Sequence, residues 1–330
     1  MARSIAKGPK PRAGFATVNK NAPRPFVKKT WVAPPPQATS AQSKEPLGTV
    51  QEALLRAQKH GIAKVDARIL LLHTLGKKTS DMAWLVANDN NPINSVQADA
   101  YGEACARRRS GEPAAYIVGH KEFYGLRLAV DKRVLDPRAD TETLVDWALE
   151  VLPMSVRTEP APVPPGVLDL GTGSGAIALA IQSKRPIAQV HATDASQGAL
   201  EVAHANAATL KLPVQFHQGS WLEAVKGQQF DLIVSNPPYI AAADPHLAAL
   251  AHEPLPALAS GTDGLDDIRQ IIAQAPAHLH AGGWLLLEHG YDQAATVREL
   301  LEKQGFDGIL SKTDLAGIER CSGGQWPGLR

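Results

Sequence analysis

The run Asn236-Pro237-Pro238-Tyr239 carries the most chemical content in this 330-residue chain. Proline lacks an N–H and has a fixed φ, so two in succession end strand pairing, stiffen the loop and leave its carbonyls free to accept. The Asn236 side-chain oxygen and the Pro237 carbonyl can then hold the two N–H donors of a planar NH2 group. Tyr239 offers a packing surface for that group's π face. An amide or aniline-like nitrogen is a poor nucleophile, because its lone pair is delocalised. Catalysis must rely on orientation, at most about 7–11 kcal/mol in a near-attack geometry, and on acceptors that stabilise charge growing on nitrogen. Asn236, Pro237 and Tyr239 are therefore the candidate catalytic residues, and Pro238 completes a candidate acceptor site.

A second cluster lies upstream. Val167-Leu168-Asp169-Leu170 reads as a strand running into Gly171-Thr172-Gly173-Ser174-Gly175, followed by the helix-forming Ala176-Ile177-Ala178-Leu179-Ala180. Missing side chains let the backbone approach a nucleotide-like ligand, and Asp194, nineteen residues after Gly175, sits where a ribose-binding carboxylate is needed. On the loop alone the ligand stays open, since Gly-x-Gly-x-x-Ala also satisfies the dinucleotide fingerprint. No acid-base pattern for hydride transfer accompanies it. Asp169 favours S-adenosyl-L-methionine, because an acid at the end of the first strand suits the cationic end of that methyl donor. Asp169, Gly171, Thr172, Gly173, Ser174, Gly175 and Asp194 are the candidate donor-binding residues, and Asn236 adjoins them.

These clusters need elements to position them. From Leu47 to about Glu112 the apolar spacing is helical, with Gly61 and Gly76 as stops and a last helix near Val96 to Arg109. Tyr116 to Val134 reads as short strands around a Phe123-Tyr124-Gly125-Leu126 turn. A helix near Thr141 to Leu152 and a proline-rich linker from Pro153 to Gly166 come next. Strands are then expected at Val167–Leu170, Gln189–Thr193, Val214–His217, Phe230–Ser235 and Trp284–His289. Helices are expected at Ala176–Ser183, Gly198–Leu210 and Asp266–Leu279. That rhythm predicts a mostly parallel sheet covered on both faces, with ligands beyond the carboxyl ends of its strands. The domain boundaries follow as 1–46, 47–112, 113–135 and 136–330. Ser322-Gly323-Gly324 reads as a turn.

Composition narrows the class. Hydrophobic residues make up 44% and charged residues 20%, ordinary for a globular protein of the cytoplasm. No run of about 18 apolar residues and no apolar leader region appear, so neither membrane insertion nor secretion is expected. Two cysteines cannot build a disulfide framework or a four-ligand metal site, and no other metal-ligand spacing stands out. Residues 1–46 hold nine Lys or Arg against one Glu, plus eight prolines. That tail is expected to be disordered, with weak attraction to RNA at most. The whole chain is +1, which leaves −7 for residues 47–330 and speaks against direct nucleic-acid binding there.

From Leu47 onward the chain resembles the bacterial release-factor glutamine methyltransferases of the PrmC/HemK type. The likeness is carried by Ala114–Gly119 with Glu122-Phe123-Tyr124, by Pro137–Glu142, by Asp169–Gly175 and by Val234–Ile240. It continues through Asp244–Leu247, Glu253-Pro254 and Leu286-Leu287-Glu288-His289-Gly290. The resemblance implies a Rossmann-like class I S-adenosylmethionine-dependent methyltransferase domain of α/β class, with a small N-terminal helical bundle and a connecting β-hairpin. It implies methylation of the side-chain amide of glutamine in the Gly-Gly-Gln loop of class I peptide release factors, which the bundle and hairpin help to receive. It also implies that Trp221 lies along the donor's adenine and that Asn236 touches donor and acceptor. Related chemistries that the same loop permits are glutamine methylation of a ribosomal protein and methylation of adenine in nucleic acid. Four places depart from the family pattern: Asp136, Ala139, Ser220 and the shortened segment 248–252.

Overall fold

The computed structural model describes residues 48–152 and 163–328, which belong to one compact unit. The basic tail and most of the proline linker lie outside the described residues.

Five helices come first: α1 (Val50–Lys59), α2 (Lys64–Thr74), α3 (Met82–Ala87), α4 (Ser95–Arg109) and α5 (Ala114–Val118). Thr49 and Asn94 each close a capping box on the following helix, satisfying N–H groups that a helix start leaves open. Leu70, Leu71, Leu72, Leu85 and Ile93 pack at the centre of this bundle. One expectation fails here: Tyr116–Val118, expected to open the strand region, is the end of α5. Pro113 starts it and Gly119, at φ 77°, ends it in the left-handed conformation. Ala114, Ile117 and Val118 join the bundle core. The hairpin is accordingly shorter, β1 (His120–Phe123) against β2 (Leu126–Ala129).

After α6 (Glu142–Val151) the sheet domain runs β3 (Gly166–Leu170), α7 (Ala176–Lys184), β4 (Gln189–Asp194), α8 (Gln197–Leu210), β5 (Val214–Gln218), β6 (Phe230–Ser235), α9 (Asp266–Gln274) and β7 (Leu279–Glu288). Then come α10 (Ala294–Gln304), β8 (Asp307–Thr313) and β9 (Glu319–Gln325). The strand order is β5-β4-β3-β6-β7-β9-β8, parallel from β5 through β7 and antiparallel at β9 and β8.

Pleat alternation assigns each strand residue a face. Val167, Leu232, Val234 and Leu286 pack with α6 and α7. Leu168, Leu170, Ile233, Leu285 and Leu287 pack with α9 and α10 on the other side. The chain winds outward from β3 to β5, then returns across β3 to β6. The carboxyl ends of β3 and β6 therefore flank the point where winding reverses, the place where such sheets open a crevice.

Gly323-Gly324-Gln325 lies within β9, not in a turn, and pairs with Leu286, Leu285 and Trp284 of β7. A Cβ on Gly323 would stand 2.5 Å from the Leu285 carbonyl oxygen and 2.6 Å from Leu286 Cδ2. The glycine is there because neighbouring chains pack where a side chain would be.

Candidate active site

The glycine turn follows β3, with Gly171 at φ 69°, Gly173 at 56° and Gly175 at 83°, a region costly for residues bearing a Cβ. Thr172 N–H donates to the Thr193 carbonyl (2.9 Å) and Gly173 N–H to Asp194 Oδ2 (2.9 Å), tying the turn to the end of β4. Asp194 Oδ1 accepts from Ser196 N–H (2.8 Å). Burial holds the Asp194 carboxyl above its ordinary range. Asn206 of α8 braces the turn from below, donating to the carbonyls of Ser174 (2.9 Å) and Ala129 (3.0 Å).

A cavity of about 360 Å3 opens over this turn. Gly171, Gly173, Asp194, Trp221, Asn236 and Pro238 line it, and Val134, Leu135 and Pro254 close its rim. Trp221 stands in the left-handed region at φ 46°, a strained conformation for a large side chain that the surroundings must enforce. Its indole N–H donates to Asp267 Oδ1 (3.2 Å), and a Cβ on Gly171 would come within 3.1 Å of its ring. Bare backbone, a strand-end carboxylate and an indole wall face one space.

Not every sequence candidate lies on that wall. Asp169 is fully buried and points toward α7, where its Oδ2 accepts from Thr172 Oγ1 (2.6 Å) and Ala178 N–H (3.1 Å). This corrects the expectation of a direct contact with the donor's cationic end: Asp169 shares the pleat face of Val167 and supports the turn from beneath. Burial lifts its carboxyl to about 7. Thr172, Ser174 and Gly175 are also turn-forming rather than cavity-lining. Gly175 lies beneath the turn because a Cβ there would meet Leu179 and Ala203.

On β6, Ser235 Oγ donates to the Leu170 carbonyl (2.7 Å), locking the two strand ends together just before the Asn-Pro-Pro-Tyr loop. Asn236 Nδ2 donates to Thr141 Oγ1 (3.2 Å). Gln293 Nε2 holds the Tyr239 carbonyl (3.0 Å), and burial raises the Tyr239 hydroxyl pKa. A second cavity of about 130 Å3 lies on the far side of the loop, between Arg138, Tyr239, Leu250 and Leu258. Asn236, Leu135 and Ala257 line both cavities. The two spaces meet at Asn236.

Sequence reasoning missed several neighbours. Thr141 and Glu288 fell inside quoted motifs without a role, and Asp267 sits in the first turn of α9 with no local signature. The unusual Asp136 is buried in an ionic cluster: its N–H donates to Glu253 Oε2 (3.2 Å) and its carboxylate pairs with Lys121 (3.1 Å). Arg138 Nη2 meets Glu253 Oε1 at 2.6 Å. Ala139 begins the single turn Ala139–Thr141 that delivers Thr141. Ser220 precedes Trp221 at the start of another such turn, and His252 reaches the Ser110 carbonyl at the end of α4 (2.9 Å).

Winding, glycine turn and loop together are those of a Rossmann-like class I methyltransferase that uses S-adenosyl-L-methionine. Residues 142–304 match the methyltransferase small domain and residues 50–119 the PrmC N-terminal domain. The chain is 47% identical to a release factor glutamine methyltransferase of Xylella fastidiosa strain Temecula1, over 84% of its own length and 98% of that protein. It is 47% identical to the enzyme of that name from Pseudomonas aeruginosa, over 80% and 93%. It belongs to the release factor glutamine methyltransferase family. Among solved structures, the human Mettl16 catalytic domain with an RNA hairpin aligns at TM-score 0.50 and 14% identity, over 75% of this chain and 91% of that one, a likeness of fold. No helix among the described residues is long and apolar enough to cross a membrane.

Proposed function

We propose that this protein methylates the side-chain amide nitrogen of the glutamine in the Gly-Gly-Gln loop of class I peptide release factors. The observation that carries the reading is the meeting of the two cavities at Asn236, with the names of the relatives supporting the acceptor. When bound, S-adenosyl-L-methionine supplies an electrophilic methyl group on a sulfonium. The residues of the larger cavity suit it: Asp194 faces the space with lone pairs for ribose hydroxyls, Trp221 offers a flat wall for adenine, and Gly171 and Gly173 leave room for the rest. Replacing Asp194 by alanine is expected to raise the donor Kd roughly tenfold to a hundredfold, from lost hydrogen bonds to a charged group. Calorimetry on the purified variant, with Tm as a check on folding, measures this.

The smaller cavity admits an extended aliphatic stem ending in an amide. Leu135, Leu250 and Leu258 give the stem apolar walls, while the Asn236 and Pro237 carbonyl oxygens take the two N–H groups of the amide. That pairing holds the nitrogen in one plane, and Tyr239 packs beside it and keeps water out. Beyond lies a cavity of about 410 Å3 shared by α2, α4 and the hairpin, lined by charged residues that include Asp66, Arg108, Lys121 and Glu253. Arg138 and Leu250 border both this space and the acceptor cavity. A protein loop docked on the helical bundle would pass Arg138 and Leu250 on its way to Asn236.

The test is transfer from methyl-labelled donor to a purified class I release factor. Label is expected on the Gly-Gly-Gln protein and not on its Gly-Gly-Ala variant. No incorporation at saturating donor would sink the reading, and label passing preferentially to ribosomal protein in a competition would redirect it.

A further inference from the structure

Glu288, the last residue of β7, is a buried acid for which methyl transfer has so far supplied no role. Its side chain is on the α6 face by pleat alternation with Leu286, directly below Thr141, which immediately precedes α6. It is 2% exposed, and its Oε2 has no hydrogen-bond partner among the described residues. An acid kept so far from water is expensive. A hydrophobic residue would fit the strand better unless the carboxyl does something there.

Three side chains converge at this point: Asn236 from β6, Thr141 from the turn before α6, and Glu288 from β7. Asn236 Nδ2 donates to Thr141 Oγ1, and both Asn236 and Thr141 direct hydrogen-bonding groups at the Glu288 carboxyl. We propose that Glu288 is a positioning residue for methyl transfer: with Thr141 it engages the N–H groups of the Asn236 side chain, so that the Asn236 carbonyl oxygen is the atom turned to the acceptor nitrogen. The proposal rests on the reading of Asn236 given above.

The logic is one of donors and acceptors. An asparagine side chain has two nearly isosteric orientations, and only its neighbours select between them. Rotating Asn236 by half a turn would set its carbonyl oxygen against an ionised carboxylate with no proton between them. The same rotation would present an NH2 group to the NH2 of the acceptor. An ionised Glu288 forbids that state, whereas a protonated one can donate to the rotated carbonyl and permits it. Orientation is thereby coupled to ionisation.

Burial raises the Glu288 carboxyl to about 7, with the hydrogen bonds from Thr141 and Asn236 acting in the opposite sense. The other groups facing it are Asp140 beside Thr141, Tyr239 at the end of the loop, and Arg320 and Cys321 on β9. Arg320 is shared with Asp314 at 3.0 Å and Asp140 at 3.5 Å, so it does not form an ion pair with Glu288. Tyr239 and Cys321 have raised pKa values and stay neutral through this range. Since the ionised form of Glu288 orients Asn236, turnover should rise with pH through about 7. Asp169, under the glycine turn, is also lifted to about 7, so it is the loss of this limb in a Glu288 variant that assigns it to Glu288.

The experiment uses the full-length chain and Glu288→Gln, which keeps the shape and removes the charge. Wild type is expected to show kcat rising with a midpoint near pH 7, and E288Q a kcat lower by about tenfold to a hundredfold with that limb gone and the donor Kd within about twofold. A second measurement needs no acceptor: the side-chain NH2 resonances of Asn236, assigned by their loss in Asn236→Asp, are expected to shift between pH 6 and 8 in wild type and to stay fixed in E288Q. If wild type labels no acceptor, the functional reading fails while these resonances still decide the role of Glu288. The proposal is overturned by an E288Q enzyme that keeps the wild-type kcat, by a variant whose activity falls only with its Tm while the pH limb persists, or by Asn236 resonances indifferent to pH.

Discussion

Replacing Asn236 by alanine is expected to lower kcat by about a hundredfold to a thousandfold, the scale on which loss of one preorganised polar group at a reacting centre is felt. The alanine removes the acceptor that fixes one N–H of the substrate amide, and with it the restriction of the nitrogen to one plane. Donor binding should suffer far less, because Gly171, Gly173, Asp194 and Trp221 remain in the larger cavity. Folding should suffer less than turnover: Asn236 is half-buried, and the bonds it loses are those to Thr141 and to the Glu288 carboxyl, which keeps its bond from Thr141. Single-turnover transfer of labelled methyl at saturating donor separates these effects. A rate within threefold of wild type would mean that the Pro237 carbonyl and cavity shape orient the amide without Asn236.

The second large effect concerns stability. Gly323→Ala is expected to destabilise the protein by about 3 kcal/mol, the upper range for overpacking a filled core, lowering Tm by roughly 5–10 °C. The added methyl would press on the Leu285 carbonyl at 2.5 Å and on the Trp147 ring at 3.0 Å. A backbone oxygen in a paired strand has nowhere to go, so β7 and β9 must separate. Gly102 makes a sharp control, since a Cβ there meets nothing within 4 Å in the middle of α4. Gly102→Ala should stabilise by up to about 1 kcal/mol. Urea unfolding of both variants measures the contrast, and equal effects would show that packing around Gly323 is looser than the distances require.

What could be read beforehand follows from where the signal is stored. The glycine turn and the Asn-Pro-Pro-Tyr loop are contiguous, and their conformations are dictated by the backbone limits of glycine and proline. Strands β3 and β6 announce themselves through the short apolar runs Val167-Leu168 and Leu232-Ile233-Val234, because both their faces are covered. Strand β9 does not, since Glu-Arg-Cys-Ser-Gly-Gly-Gln has neither alternation nor β-branched residues and becomes a strand only through pairing with β7 and β8. The reverse happened at α5, where Tyr-Ile-Val suggested extended chain and the flanking proline and glycine set a helical turn. Asp169 was placed at the right end of the right strand, but the direction of its side chain depends on pleat parity, which set it under the turn. Thr141 and Asp267 lie 95 and 46 residues from the side chains they contact, Asn236 and Trp221. No spacing within a motif marks such partners.

The Glu253 clamp has a bearing on how the two ligands sense each other. Glu253 grips Arg138, which borders the smaller cavity proposed for the acceptor, and continues directly into Pro254 and Pro256, which border the larger cavity proposed for the donor. One short stretch of chain is thus a common wall, stiffened by proline on one side and by a half-buried ion pair on the other. Whatever ordering one ligand imposes on that wall is ordering the other no longer has to supply. Thermodynamic reciprocity then requires that any gain in acceptor affinity caused by the donor be returned in equal measure to the donor.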